Sequence, residues 1–142
     1  NNNLDAIAAF SYIDAEIVEG AVTDDGDSTG NIPQHVADYT ASVWVNYRPG
    51  WLGFDGSPLA LTMGYYRIGS RYTNSENTGV LPAVGIMDAG LRYDVDFGLT
   101  RAEFSVQVKN LLDKEYYASS SGDLRSNLGL GRTFMASMAI RF

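Results

Sequence analysis

The sequence predicts an all-β fold: about six long antiparallel strands, patterned like a segment of a transmembrane β-barrel. Three observations predict it. Apolar and polar residues alternate with period two, the alternating stretches outrun ordinary strands, and the connections between them are alternately long and short. Period two is the repeat of a pleated strand with one oily and one wetter face. Strands usually run about 5–6 residues, so stretches of about ten need a reason.

Taken in order, Leu4–Asp14 opens with an Ala-rich text that resembles a helical turn. Phe10-Ser11-Tyr12-Ile13 continue it in β-favouring residues, which makes it a strand. Next, Tyr39, Ala41, Val43, Val45 and Tyr47 alternate with Thr40, Ser42, Trp44, Asn46 and Arg48. Leu59, Leu61, Met63 and Tyr65 then share one face, with Ala60, Thr62, Gly64 and Tyr66 on the other. Met87, Ala89, Leu91, Tyr93 and Val95 alternate with Asp88, Gly90, Arg92, Asp94 and Asp96. Ala102, Phe104, Val106 and Val108 alternate with Glu103, Ser105, Gln107 and Lys109. Last, Phe134, Ala136, Met138, Ile140 and Phe142 are separated by Met135, Ser137, Ala139 and Arg141. Most of these strands are expected to run roughly 10–13 residues, long for the usual mode.

The joining segments are Glu19–His35, Pro49–Ser57, Tyr72–Pro82, Phe97–Thr100 and Asp113–Gly131. Antiparallel order gathers the first, third and fifth at one end and the two shorter turns at the other. Short turns at one end and long loops at the other are the habit of outer-membrane barrels.

Composition narrows the function classes. A chain of 142 residues is one ordinary domain, and its net charge of −7 is the wrong sign for a general nucleic-acid binder. No Cys and one His exclude thiol chemistry and make His-based metal sites or catalysis poor readings. The longest uncharged runs, Gly56–Tyr66 and Asn77–Met87, are far shorter than the roughly 20 residues of a spanning helix. A spanning strand needs only about 9–11. The opening Asn1-Asn2-Asn3-Leu4 has no initiator Met and no signal peptide, so the chain reads as a mature protein or as a piece of something larger.

Alternation alone does not separate a soluble barrel, apolar inside, from a membrane barrel, apolar outside. Three features favour the second: strand length, the charged residues on the polar faces (Asp88, Arg92, Asp94, Glu103, Lys109 and Arg141, beside the neutral polar Gln107), and aromatics near the ends of the apolar faces. Six strands cannot close such a barrel, because bacterial barrels begin at about 8 and lipid tolerates no open edge. The chain is then either the terminal portion of a wider barrel or one of several copies that close a barrel together. The first fits the chain start better.

Several stretches resemble the last strands of TonB-dependent outer-membrane receptors, in the ferric-siderophore branch. Asn110-Leu111-Leu112-Asp113-Lys114-Glu115-Tyr116-Tyr117 is similar to the family's end of the penultimate strand. Gly131-Arg132-Thr133-Phe134 through Ile140-Arg141-Phe142 resembles its closing strand. Arg67–Tyr72, Leu81–Tyr93 and Asn31–Trp44 resemble the strands before. Val84 stands where the family often has Tyr, and a Pro expected near Ala37–Asp38 is missing, which leaves the subfamily open. The resemblance implies a barrel of about 22 strands with a plugged lumen, of which residues 1–142 would be the C-terminal part, without plug or earlier strands. It implies uptake of a ferric siderophore across the bacterial outer membrane, with the siderophore as transported ligand and no covalent cofactor. The implied partners are the rest of the receptor, TonB–ExbB–ExbD through its N-terminal part, and outer-membrane lipid and lipopolysaccharide. Phe134, Met138, Ile140 and Phe142 resemble the C-terminal signal read by the barrel assembly machinery. Two alternatives are a passive outer-membrane porin and a soluble β-barrel ligand-binding module.

His35, Tyr72, Tyr116, Tyr117 and Arg125 fall at the expected extracellular end, where aromatic and Arg side chains suit an anionic iron chelate. Interfacial anchoring of the tyrosines and loop packing of Arg125 are the plainer readings. Asp24-Asp25-Gly26-Asp27 lacks the spacing and closing Glu of a calcium loop, so no metal site is expected, although cation-bridged contact with lipopolysaccharide is one reading of it. The carboxylates of the polar faces read as lumenal ion pairs or plug contacts rather than an acid–base pair. No G-x-S-x-G elbow occurs, and a phospholipase would need a Ser–His pair whereas His35 lies in a long loop. No enzyme is expected.

Overall fold

A computed structural model describes residues 3–24, 26–50 and 58–142. Numbering its strands in chain order, the large ones are β1 (Leu4–Tyr12), β4 (Tyr39–Tyr47), β5 (Leu59–Ile68), β8 (Val84–Phe97), β9 (Thr100–Lys109) and β12 (Thr133–Arg141). They form one six-stranded antiparallel sheet in which sequence neighbours pair. The first segment is a strand and not a helix: Leu4 to Tyr12 pair with Tyr47 to Tyr39 without interruption. β5 and β9 have 10 residues, β1, β4 and β12 have 9, and β8 has 14, so the strands are more uneven than alternation alone suggests. β8 starts early because Val84 and Gly85 pair with Ile68 and Arg67, which also lengthens β5.

The register gathers most apolar residues on one face and most polar residues on the other across the six strands. One row runs Leu4, Tyr47, Leu61, Leu91, Val106, Ala136, and the next Ala6, Val45, Met63, Ala89, Val108, Phe134. On the opposite face one row runs Asp5, Asn46, Thr62, Gly90, Gln107, Met135. A slip of one residue at any strand would put polar side chains among the apolar ones. The concave side of the sheet is the polar one: it encloses about 650 Å³ lined by Trp44, Asn46, Asp88, Arg92, Glu103 and Lys109 among others. The apolar face is therefore convex and uncovered, with Met63 52% exposed and Phe134 70% exposed. That is the reverse of a soluble barrel. From Tyr47 to Tyr39 the strand rises about 26 Å, which at a tilt of about 40° spans most of the roughly 25 Å apolar band of such barrels.

The turns differ at the two ends. Phe97-Gly98-Leu99-Thr100 is a tight hairpin in which Gly98 takes a φ of 75°, open to glycine at no steric cost. The turn expected over Pro49–Ser57 falls mainly on 51–57, outside the described residues. At the other end the connections are not plain loops. Each carries a small hairpin: β2 (Val22–Thr23) with β3 (Gly26–Asp27), β6 (Arg71–Tyr72) with β7 (Val80–Leu81), and β10 (Tyr117–Ser120) with β11 (Ser126–Leu128). Beneath them lies a small core in which Leu81, Val84, Ile86 and Ala37 are buried.

Candidate functional site: inner wall and loop crown

The inner wall is built by β8 and β9, whose alternate residues point into the concavity. Asp88, Arg92, Asp94, Glu103, Gln107, Lys109 and Arg141 share this face, by register. At its short-turn end Arg92 and Arg101 flank Asp94 at 3.8 and 3.5 Å, and Arg101 also meets Asp96 at 3.7 Å. Higher up, the Asp88 carboxylate accepts the Asn110 N–H at 2.9 Å and the Thr62 hydroxyl donates to Asn46 at 2.7 Å. The Trp44 ring lies flat over Gly64, where any Cβ would collide with it.

The crown is knitted from the long connections. His35 and Tyr72 meet through the backbone, the Tyr117 carbonyl is tied to the neighbouring Arg71, and Arg125 sits at the tip of the β10–β11 hairpin. The His35 N–H donates to the Tyr72 carbonyl at 2.9 Å, and its Nε2 lies 3.0 Å from the Ser120 hydroxyl. The Ser121 N–H donates to the Arg125 carbonyl at 2.8 Å. Beneath, Arg71 is only 8% exposed and donates from Nη2 to the Tyr117 and Ala118 carbonyls at 3.2 and 2.8 Å. Between connections, Asn31 donates to the Ser75 carbonyl at 3.0 Å, and the Asn77 side chain brackets Ile32: Oδ1 accepts the Ile32 N–H at 3.0 Å and Nδ2 donates to the Ile32 carbonyl at 2.8 Å. Asp123 accepts from the Thr73 and Thr78 hydroxyls, bonds that hold its carboxyl below the usual carboxylate range.

Tyr116 stands apart from these contacts. Its ring packs on Gly129, where a Cβ would overlap it, and its hydroxyl meets Tyr66 of the inner face. Tyr117 and Arg125 are exposed, as is His35. The meeting of His35 and Ser120 is a Ser–His contact that reading His35 as a loop residue did not anticipate. Ser120 is 5% exposed and its hydroxyl donates to the Thr73 carbonyl at 3.4 Å. With one His35 tautomer Nε2 donates to the Ser120 hydroxyl, and with the other it accepts from it.

The motif residues near the end of β9 act as clasps. Asn110 is buried with a φ of 51°; its Nδ2 donates to the Lys114 and Leu130 carbonyls at 2.9 and 3.1 Å, and its Oδ1 accepts the Lys114 N–H at 2.9 Å. Asp113, with a φ of 53°, accepts the Arg132 N–H at 2.8 Å and its guanidinium at 3.4 Å, which lowers the Asp113 carboxyl. In the acidic stretch, Asp27 accepts the Thr29 N–H at 2.9 Å and its carboxyl is lowered by that bond. Asp25 lies outside the described residues, and among those described no three His, Asp or Glu side chains converge as a metal site.

A family model described as "TonB dependent receptor-like, beta-barrel" matches residues 2–111. The chain belongs to the TonB-dependent receptor family. These receptors are outer-membrane β-barrel proteins, transporters and receptors rather than an enzyme family. It is 31% identical over 146 residues to the ferrichrome outer membrane transporter/phage receptor of Escherichia coli (strain K12), covering 99% of this chain and 18% of that protein. The solved siderophore receptor PiuA of Acinetobacter baumannii superposes with a TM-score of 0.80 at 21% identity, covering 99% of this chain and 20% of that one. The ferric preacinetobactin receptor BauA of the same organism gives 0.81 at 24% identity, covering 97% and 20%. The last two likenesses show the shared fold. The chain spans about a fifth of the length of each of these proteins.

Proposed function

We propose that residues 1–142 form the C-terminal wall of a barrel of about 22 strands that takes up a ferric siderophore across the outer membrane, powered through TonB. The observation that carries this reading is the sheet itself: a polar concave face and an apolar convex face kept in register over six strands, in a member of this family. In this reading the convex face is solvated by lipid and the concave face lies against a plug supplied by the N-terminal part. The crown forms one side of the ligand mouth. Tyr117, Arg125 and His35 are the exposed groups there and contact the chelate, with Tyr72 behind them; Tyr116 positions the β10–β11 hairpin through Gly129. Phe134, Met138 and Ile140, which share the convex face, serve with the following Phe142 as the barrel-assembly signal. The process is binding and gated passage, without catalysis.

The test is a titration of the purified full-length receptor with ferric hydroxamate, catecholate and citrate-type chelates, followed by tryptophan quenching. Saturable binding of at least one chelate supports the reading. Binding of none, with steady ion conductance in planar bilayers, overturns it in favour of a passive porin.

A further inference from the structure

Among the described strand residues, the convex face carries one charged side chain. Arg67 of β5 sits there by register, between Ala41 of β4 and Gly85 of β8, near the crown end of the strand. It is exposed, and among the described residues no carboxylate pairs with it. Its two hydrogen-bonding partners are neutral: Nε donates to the Tyr39 hydroxyl at 2.9 Å, and the Tyr65 hydroxyl accepts a second bond. Both small flanking residues matter. The Tyr65 ring lies down over Gly85, where a Cβ would strike its hydroxyl, and this brings that hydroxyl to the arginine's row. Tyr12, opposite Tyr39 on β1, extends the aromatic border. Asp38, the carboxylate next to this border in sequence, is turned onto the Tyr39 N–H at 2.9 Å and lies over Gly69.

An arginine on a lipid-facing surface is costly unless its charge reaches the headgroup layer or meets an anion. Two tyrosine hydroxyls use part of the planar fork and fix its direction, but neutralise none of its charge. The side chain is exposed near the crown end of its strand, and a guanidinium carries the planar fork of donors that suits bidentate capture of a phosphate. We propose that Arg67, aimed by Tyr39 and Tyr65, is a binding site for a phosphate group of an outer-leaflet glycolipid. The site lies on the outside of the barrel and takes no part in ligand passage. It rests on the outer-membrane placement of this face, and it is independent of the cation-bridged contact that is one reading of the acidic Asp24–Asp27 stretch.

The test uses the full-length receptor extracted from outer membranes in mild detergent, with native mass spectrometry counting retained glycolipid. In parallel, the delipidated receptor is titrated with lipid A carrying its two phosphates and with the dephosphorylated lipid. Wild type should retain at least one glycolipid and prefer the phosphorylated form about tenfold or more. Arg67→Ala should lose that preference, and the double variant Tyr39→Phe/Tyr65→Phe should weaken it several-fold while keeping the charge. Retention and preference unchanged in Arg67→Ala overturn the site, as does equal binding of both lipids by wild type. Heat-modifiable mobility reports whether each variant is a folded barrel; should Arg67→Ala not fold, Arg67→Gln and the tyrosine pair carry the test. Chelate binding on the same samples separates the two proposals, since loss of lipid preference with intact chelate binding touches this site alone.

Discussion

The wall and the crown of this protein are held together by different bonds. The wall is a backbone ladder over six strands, and its side chains are sorted simply by which face they occupy. The crown is fastened chiefly by side chains reaching to backbone groups far away in sequence, as when Arg71 reaches Tyr117 and Ala118 or Asn77 brackets Ile32. The difference teaches where each region is vulnerable. The wall tolerates much provided that each residue stays on its proper face, whereas the crown depends on a few individual groups.

The largest effect should come from putting a charge on the wrong face of the wall. Val106 and Gln107 are neighbours in β9 that point to opposite sides, Val106 beside Leu91 and Ala136, Gln107 beside Gly90 and Met135. Val106→Arg should cost the full-length receptor about 2–4 kcal/mol of folding stability, the usual charge for a cation deep on the lipid side of a barrel. Gln107→Arg should cost about 1 kcal/mol or less, because its side chain stays wet. Denaturant titration of the receptor refolded into vesicles compares them. Equal costs would break the assignment of faces.

A smaller effect is expected at the clasp. Asn110→Ala removes three hydrogen bonds and takes their partner from the backbone groups of Lys114 and Leu130, besides forcing Ala into a positive φ. The expected loss is about 1–3 kcal/mol, read by the same titration. Asn110→Gly removes the bonds but relieves the backbone, so the gap between the two variants measures the conformational part. If both match wild type, the crown does not depend on single groups and the contrast with the wall fails.

That contrast also governs what could be read from the sequence. Each wall strand was legible because a period of two states directly which residues share a face, and Met87 to Val95 needed no other information. Leu4–Asp14 was the hardest because Ala fits helix and strand alike. Its pairing with β4, a long-range fact, settles it. The crown hairpins were not legible. β2, β3, β6 and β7 are two residues each, too short to show any period. Arg71 gave no sign of burial, since its acceptors are carbonyls that any sequence would offer. Asn110 and Asp113 were visible only as letters of a family motif. Their positive φ angles and their shared hold on Lys114, Leu130 and Arg132 explain why those letters recur at that spacing. Arg67 was quoted within a motif, yet its singular place on the apolar face emerges only when six strands are laid in register.

The smallest effect separates the two regions by pH. Asp113 and Asp123 have carboxyls held below the ordinary range, Asp113 by the Arg132 N–H and Asp123 by the Thr73 and Thr78 hydroxyls. A carboxyl whose folded value lies below its unfolded one, about 3.9 for Asp, contributes stability above that value and loses it as pH falls through the folded one. The crown clasps should therefore hold from neutrality down to about pH 4 and loosen below it, whereas the backbone amide bonds of the wall ladder have no carboxyl to protonate. Hydrogen-exchange protection, corrected for the intrinsic pH dependence of exchange, should fall below pH 4 at the Arg132 amide before it falls in β8. Asp113→Asn retains an acceptor for the Arg132 N–H but cannot titrate, so its Arg132 protection should be lower at neutral pH and flat on acidification. A drop of the same size in Asp113→Asn would place the acid sensitivity elsewhere and remove Asp113 from the clasp.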